Sequence, residues 1–287
     1  MTTASPRAER PLVFPCAGDS LFGILHPPET DARARGVLIV VGGPQYRVGS
    51  HRQFVLLARA LAAHGYPVMR FDYRGMGDSG GELRDFEGVH EDLEAALDTF
   101  FHAYPDLSEV VLWGLCDAAS AAAFHAFRDE RVSGLVLLNP WVRTETGEAR
   151  TQLRHYYVSR LREREFWSRL LSLRWNPLRS LAEITGAARR ILARRGEGAS
   201  TDTGQPLPER MRAGLERFTG PVLVVLSGRD LTAREFDDTV AASRAWRAWM
   251  ARQMVTIQRF PEADHTFSRA RWRQDVEECT RSWLDSW

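Results

Sequence analysis

Between residues 36 and 41 the chain reads Gly36-Val37-Leu38-Ile39-Val40-Val41, apolar without a break and dominated by β-branched side chains. A strand with one wet face alternates polar and apolar residues. An unbroken apolar run fits a strand covered on both faces, as inside a parallel sheet. Residues 110–113 and 221–226 repeat the pattern, and 68–73, 132–138 and 255–260 read as further strands. Helical spacing fills the gaps. Phe54, Leu57, Ala58 and Leu61 share one face of a helix over 52–64, with Gly65 as its stop. Leu93, Ala96, Leu97 and Phe100 do the same over 89–104, and a small-residue helix is expected over 118–127. Helices are also expected at 237–251 and 270–287. The first 30 residues read as a β-hairpin, 12–14 and 21–25, around Ala17-Gly18-Asp19-Ser20. Strand and helix alternate at βαβ spacing, so the fold class is α/β with a mainly parallel, doubly wound sheet.

The rhythm stops between Trp141 and Thr219. Helical pieces are expected at 149–173, 178–194 and 208–217, with a polar loop at 196–204 and no strand. The expected organisation is therefore a core in two parts, 1–140 and 220–287, interrupted by a helical lid over 141–219. The interruption holds 16 Arg against 9 Asp and Glu, whereas the remainder is net acidic. The division in charge follows the division in pattern.

At 287 residues the chain is long enough to bury a core without a disulfide or metal staple. Apolar residues at 44% and charged residues at 26% exclude collagen-like and wholly disordered classes. A net charge of +1 gives no general case for nucleic acid or an anionic membrane as partner. Cys16, Cys116 and Cys279 are odd in number and far apart, which argues for a reducing compartment and against a disulfide framework or a zinc site. The first residues lack the apolar core of a signal peptide, and no apolar run approaches the ~18 residues that span a bilayer. The expected location is the cytoplasm. No Walker loop, dinucleotide fingerprint or metal-ligand cluster stands out, so neither cofactor nor metal is expected.

Two segments compete for the role of a nucleophile turn. Gly77-Asp78-Ser79-Gly80-Gly81 matches G-x-S-x-G literally, but it lies in a polar loop well before the next helix. A nucleophile elbow runs from a strand straight into a helix. That context belongs to Gly114-Leu115-Cys116-Asp117-Ala118, which follows the strand at 110–113 and opens an alanine-rich helix. Small residues two before and two after Cys116 permit the tight crossing. The helix N-terminus favours a thiolate, and the neighbouring Asp117 opposes it. A buried structural cysteine ahead of an alanine-rich helix is the alternative.

A thiol nucleophile needs a base and an orienting acid, in the chain order nucleophile, acid, base for this kind of fold. Asp230 lies just past the strand at 221–226, and His265 just past the strand at 255–260. Open α/β sheets place their sites at these carboxyl ends. Asp237, Asp238 and Asp264 are competing acids. The histidines before Cys116 fall in the wrong order, His125 lies on the helix behind the turn, and His155 falls in the interruption. For an oxyanion hole the donors are the Asp117 N–H and one from the loop Gly42-Gly43-Pro44-Gln45-Tyr46. There Pro44 has no N–H, Gly43 is the first candidate and Gln45 the second, by backbone or side chain.

Phe71-Asp72-Tyr73-Arg74-Gly75-Met76-Gly77-Asp78-Ser79 resembles the D-x-R-G-x-G-x-S loop of the α/β-hydrolase superfamily, which there is mostly structural. Gly42-Gly43-Pro44 is similar to the oxyanion loop of proline-iminopeptidase-like hydrolases, with Val41 and Gln45 in place of its first His and last Gly. Together with WGLCDAASA and LLNPWVRTE, these segments resemble the exosortase A-associated hydrolase 1 group over nearly the whole chain. The resemblance implies an α/β-hydrolase fold and a cytoplasmic hydrolase that accompanies bacterial exopolysaccharide production. The nucleophile is similar to that of dienelactone hydrolases, which use Cys, Asp and His in this fold.

The expected activity is hydrolysis of an ester or thioester of a small acyl substrate, with a glycan-linked substrate among the candidates, through Cys116, His265 and Asp230. Alternatives are acyl transfer to a glycan acceptor and a non-catalytic binding protein. Tyr46, Trp141, Tyr156 and Trp167 are candidate substrate contacts. His155, Tyr157, Phe166 and Trp175 could share that pocket or simply pack the lid. The oligomeric state is not legible.

Overall fold

Residues that are apolar on both sides of a strand need cover on both sides, and the architecture supplies it. The computed structural model describes residues 8–42, 45–142 and 205–287. Its eight strands form one sheet in the order β1-β2-β4-β3-β5-β6-β7-β8. The hairpin of β1 (Arg10–Cys16) and β2 (Asp19–His26) turns on Ala17 and Gly18 alone, both at positive φ (48° and 92°). That is the two-residue turn whose twist suits a hairpin, and it lets both strands run longer than expected. β2 pairs antiparallel with β4 (Val68–Asp72). From there β3 (Arg35–Val40), β5 (Glu109–Leu115), β6 (Val132–Leu138), β7 (Val222–Ser227) and β8 (Val255–Phe260) are all parallel.

Alternate residues of the central strands feed two separate cores. Leu38, Val40, Leu112, Leu135, Leu137 and Val224 pack under α2 (His90–Ala103), α3 (Asp117–His125), α4 (Leu207–Arg217), α5 (Leu231–Ala242) and α6 (Arg244–Met250). Val37, Ile39, Val111, Trp113, Val136 and Val225 pack under α1 (Gln53–Ala63) and α7 (Ala270–Leu284). Each fully buried Val, Leu or Ile contributes about 1.5–3 kcal/mol, so neither face is left open. The single helix expected at 237–251 is two. Ser243 is extended (φ −112°, ψ 125°), breaks the helix and caps α6 by accepting from the Trp246 N–H. The first helix starts earlier than expected because Asp230 caps it.

The chain divides into two compact units, residues 1–142 with 210–287, and residues 143–209. Most of α4 thus belongs with the sheet. The pieces expected at 149–173, 178–194 and 196–204 lie outside the described residues. Among the described residues no helix is long and apolar enough to cross a membrane.

Candidate active site

β5 delivers the chain to the carboxyl edge of the sheet, and α3 takes it away again after one residue. That residue is Cys116, at φ 65° and ψ −124°, where a side chain is strained by about 1–3 kcal/mol. The crossing is close: a Cβ on Gly114 would lie 2.6 Å from the backbone of Ala118. Only glycine fits there, which explains the small residue two before the cysteine. The turn is held by its own backbone. The Cys116 N–H donates to Leu138 O at 2.8 Å, and its carbonyl accepts from the Ala119 N–H at 3.1 Å and the Trp141 N–H at 3.2 Å. The Cys116 side chain is half-buried at the positive end of α3.

Asp230 and His265 meet it from the ends of β7 and β8. The His265 ring donates from Nδ1 to Asp230 Oδ2 at 2.9 Å. Asp230 is buried and also accepts from the Thr232 and Ala233 N–H groups, each at 3.1 Å, so one carboxylate both caps α5 and holds the imidazole. The Cys116 thiol lies close enough to the same imidazole to raise its pKa. With Nδ1 committed to Asp230, Nε2 is the nitrogen left to face sulfur. Burial pulls the His265 pKa down, but the hydrogen bond to Asp230 and the nearby Cys116 thiol overcome it and raise the value to about 10. At neutral pH the imidazole is therefore held protonated beside the sulfur, where it can donate to a leaving group once a thiolate has attacked a carbonyl.

The competing groups are engaged elsewhere. Asp264 accepts from the Ser268 N–H at 2.9 Å and from the Ser268 hydroxyl. Asp237 pairs with Arg259 at 2.7 Å. His26 accepts from Arg70, and His90 and His125 bond each other at 2.6 Å. Ser79 is part of the frame: its hydroxyl donates to Asp72 O at 2.6 Å and accepts from the Phe22 N–H at 2.9 Å.

Around the expected oxyanion hole, Asp117 is the first residue of α3, and its carboxylate accepts from the Ala118 N–H at 3.0 Å. The loop after β3 passes directly over this helix end. A Cβ on Gly42 would fall 2.1 Å from Asp117 Oδ1 and 2.6 Å from Ala118 N. Gly43 lies outside the described residues. The Gln45 side chain accepts from the Ser50 N–H at 3.2 Å and so braces its own loop. Tyr46 is exposed at 48%, and Trp141 is half-buried beside the Cys116 turn. Tyr156 and Trp167, with His155, Tyr157, Phe166 and Trp175, lie outside the described residues. Among the described residues no three His, Cys, Asp or Glu side chains are grouped to hold a metal ion.

One residue of this region escaped the sequence reading. Asn139, fully buried at the end of β6, accepts from the Ser227 N–H at 2.9 Å. It donates to the Ser227 hydroxyl at 2.8 Å and to the His265 carbonyl at 3.2 Å. Its φ of 44° is the one available local signal, because asparagine tolerates the left-handed region better than most residues.

Comparison with known proteins agrees with this fold. The profile of the alpha/beta hydrolase family matches residues 37–278. A polyketide transferase from a Penicillium species is 27% identical over 139 residues, 47% of this chain and 46% of its own, so the match spans less than half of that relative. The Pyrococcus furiosus esterase Pf2001 superposes with a TM-score of 0.65 at 14% identity, over 98% of this chain and 93% of its own. A thermostable carboxyl esterase from Bacillus coagulans gives 0.64 at 16%, over 97% and 98%. At these identities the likeness to the two esterases is one of fold.

Proposed function

The chain belongs to the alpha/beta hydrolase family, and from that premise we propose that it hydrolyses esters or thioesters of a small acyl substrate through Cys116, His265 and Asp230. The observation that supports the reading is the imidazole of His265, bonded to Asp230 at the ends of β7 and β8 beside the strained elbow that carries Cys116.

In this scheme His265 holds the proton of the Cys116 thiol while sulfur attacks the acyl carbon. The C–S bond forms, and the carbonyl oxygen becomes an oxyanion. The Asp117 N–H and a donor from the loop after β3, Gly43 or Gln45, stabilise it. Collapse breaks the bond to the alcohol or thiol, which leaves with the proton from His265. Water then gives a proton to His265 and attacks the acyl-enzyme. The C–S bond breaks, the acid departs, and the proton returns to sulfur. Asp230 keeps the imidazole in the required tautomer. A thiolate is expelled more readily than an amine from a tetrahedral intermediate, so esters and thioesters suit this nucleophile better than peptides.

Acyl transfer is the second reading, supported by the similarity to a protein named a polyketide transferase. It differs only in the group that attacks the acyl-enzyme. The motif resemblance to exosortase-associated hydrolases supports a glycan-linked substrate or acceptor and a place beside exopolysaccharide production. The test is turnover of short acyl thioesters and p-nitrophenyl esters, with and without glycan acceptors, followed by mass spectrometry. Release of free acid without an acceptor is expected. Turnover only with an acceptor would replace hydrolase by transferase, and no turnover of any ester, with Cys116 unmodified, would remove both.

A further inference from the structure

Cys116 and His265 follow β5 and β8, which are not neighbours, since β6 and β7 lie between them. Strands are about 4.8 Å apart, so the ends of β5 and β8 are separated by roughly 14 Å of sheet. Pairing of the two side chains depends on every strand between them. Misplacement by about 1 Å at a reacting centre costs about 10²-fold in rate. Something that ties the two loops directly would remove that dependence.

We infer that the segment Asn139-Pro140-Trp141 is a strut that fixes His265 against Cys116, with Asn139 as the positioning residue for the base. At one end the Trp141 N–H donates to the Cys116 carbonyl, and the Trp141 carbonyl accepts from the Ser120 hydroxyl of α3 at 2.6 Å. At the other end the Asn139 amide donates to the His265 carbonyl, while Ser227 holds both the oxygen and the nitrogen of the same amide. The Asn139 N–H donates to Val225 O at 2.9 Å. The residue thus joins β7 to the loop of the base, and Pro140 limits the backbone freedom between its ends. Asparagine answers both demands of the position. It tolerates a φ of 44°, and its amide supplies an acceptor and two donors on one short side chain.

The inference rests on the proposed Cys116–His265 pair, and the test separates the two. Asn139→Gly keeps the left-handed backbone without steric cost and removes the amide. Asn139→Asp keeps the shape and the acceptor but loses both donors. Ser79→Ala, which removes hydrogen bonds of the frame away from the base, is the control. The measurements are kcat and KM on p-nitrophenyl acetate, thermal melts, and the rate of Cys116 alkylation by iodoacetamide against pH, located by peptide mass. For Asn139→Gly the expected result is a folded protein whose kcat falls about 10²-fold with KM within about 3-fold. Its alkylation profile moves to higher pH, as in His265→Ala, while Ser79→Ala keeps the wild-type profile. A merely structural residue would lower the melting temperature and leave the profile alone. If Asn139→Gly does not fold, the profile of Asn139→Asp decides in the same way. A folded variant with wild-type kcat and profile overturns the strut. Wild-type Cys116 alkylating no faster than Cys16 and Cys279 overturns the catalytic pair itself.

Discussion

Two turns at the carboxyl edge of the sheet share a pattern of small, any, nucleophile, any, small: Gly77-Asp78-Ser79-Gly80-Gly81 and Gly114-Leu115-Cys116-Asp117-Ala118. They do opposite things. Ser79 spends its hydroxyl on Asp72 O and the Phe22 N–H, which staples the loop to the hairpin. Cys116 spends only its backbone on the frame, through Leu138, Ala119 and Trp141, and keeps its sulfur for His265. The lesson is that the string does not make a nucleophile. A strand that ends one residue before a helix begins forces positive φ on the residue between, and this lifts its side chain out of the frame.

The sharpest way to break the comparison is to remove each side chain. Cys116→Ala should lower kcat/KM on a p-nitrophenyl ester at least about 10⁴-fold without loss of fold, and His265→Ala should match it, because groups acting as a unit are not additive. Ser79→Ala should leave kcat/KM within about 2-fold and cost about 1 kcal/mol in denaturant unfolding, the value of a lost hydrogen bond. Equal losses from the cysteine and serine variants would dissolve the distinction.

Intermediate losses sharpen it. Asp230→Asn still caps α5 but holds the imidazole less well. A thiol depends less on that help than a serine hydroxyl, so the expected loss is about 10²–10³-fold. Cys116→Ser keeps the elbow geometry with a far less acidic nucleophile and should retain part of the activity, with a loss of about 10–10²-fold. Steady-state rates with melts for each variant decide the order.

The glycines test the geometry alone. Ala at Gly114 would meet the backbone of Ala118 at 2.6 Å, whereas at Gly80 the nearest neighbour is 3.6 Å away. Gly114→Ala should destabilise by about 1–3 kcal/mol or more, and Gly80→Ala should stay within about 0.5 kcal/mol. Urea midpoints report both.

A separate test is stability against pH. His125, at the far end of α3, is pushed down to about 4 by burial and then by His90, and His26 is pushed down to about 4 by burial and then by Arg70. Below pH 6.5 the unfolded chain binds protons that the folded chain refuses, so stability falls as pH drops from 6.5 towards 4. His265 is raised to about 10, so its contribution is complete below 6.5 and is lost as pH climbs through 10. Melts across pH should show both flanks, and His125→Gln should soften only the acid one.

What was legible in the sequence follows the range of the interactions. The buried strands showed because their cover on both faces is written in consecutive residues such as 36–41, and the elbow showed because strand, small residues and helix adjoin. Asp230 and His265 stood out as candidates because each closes a strand in the required order. The rest depends on contacts between distant segments. Asn139 acquires its role only when β6 lies beside β7, with the loop after β8 folded over it. The break at Ser243 arises from a cap within an otherwise helical pattern. The earlier start of α5 comes from a carboxylate that serves a helix and an imidazole together.

The central claim is that sulfur at Cys116 carries the acyl group, and trapping it is the most direct test. The protein is mixed with p-nitrophenyl acetate, quenched in acid within the burst, digested and mapped by mass spectrometry. The other two thiols are poorly placed to react: burial raises the pKa of Cys16, and burial pushes Cys279 up to about 11. The account predicts one acetyl group per chain on the peptide holding Cys116, absent in Cys116→Ala. Acetyl on the Ser79 peptide, or spread evenly over Cys16, Cys116 and Cys279, would contradict it.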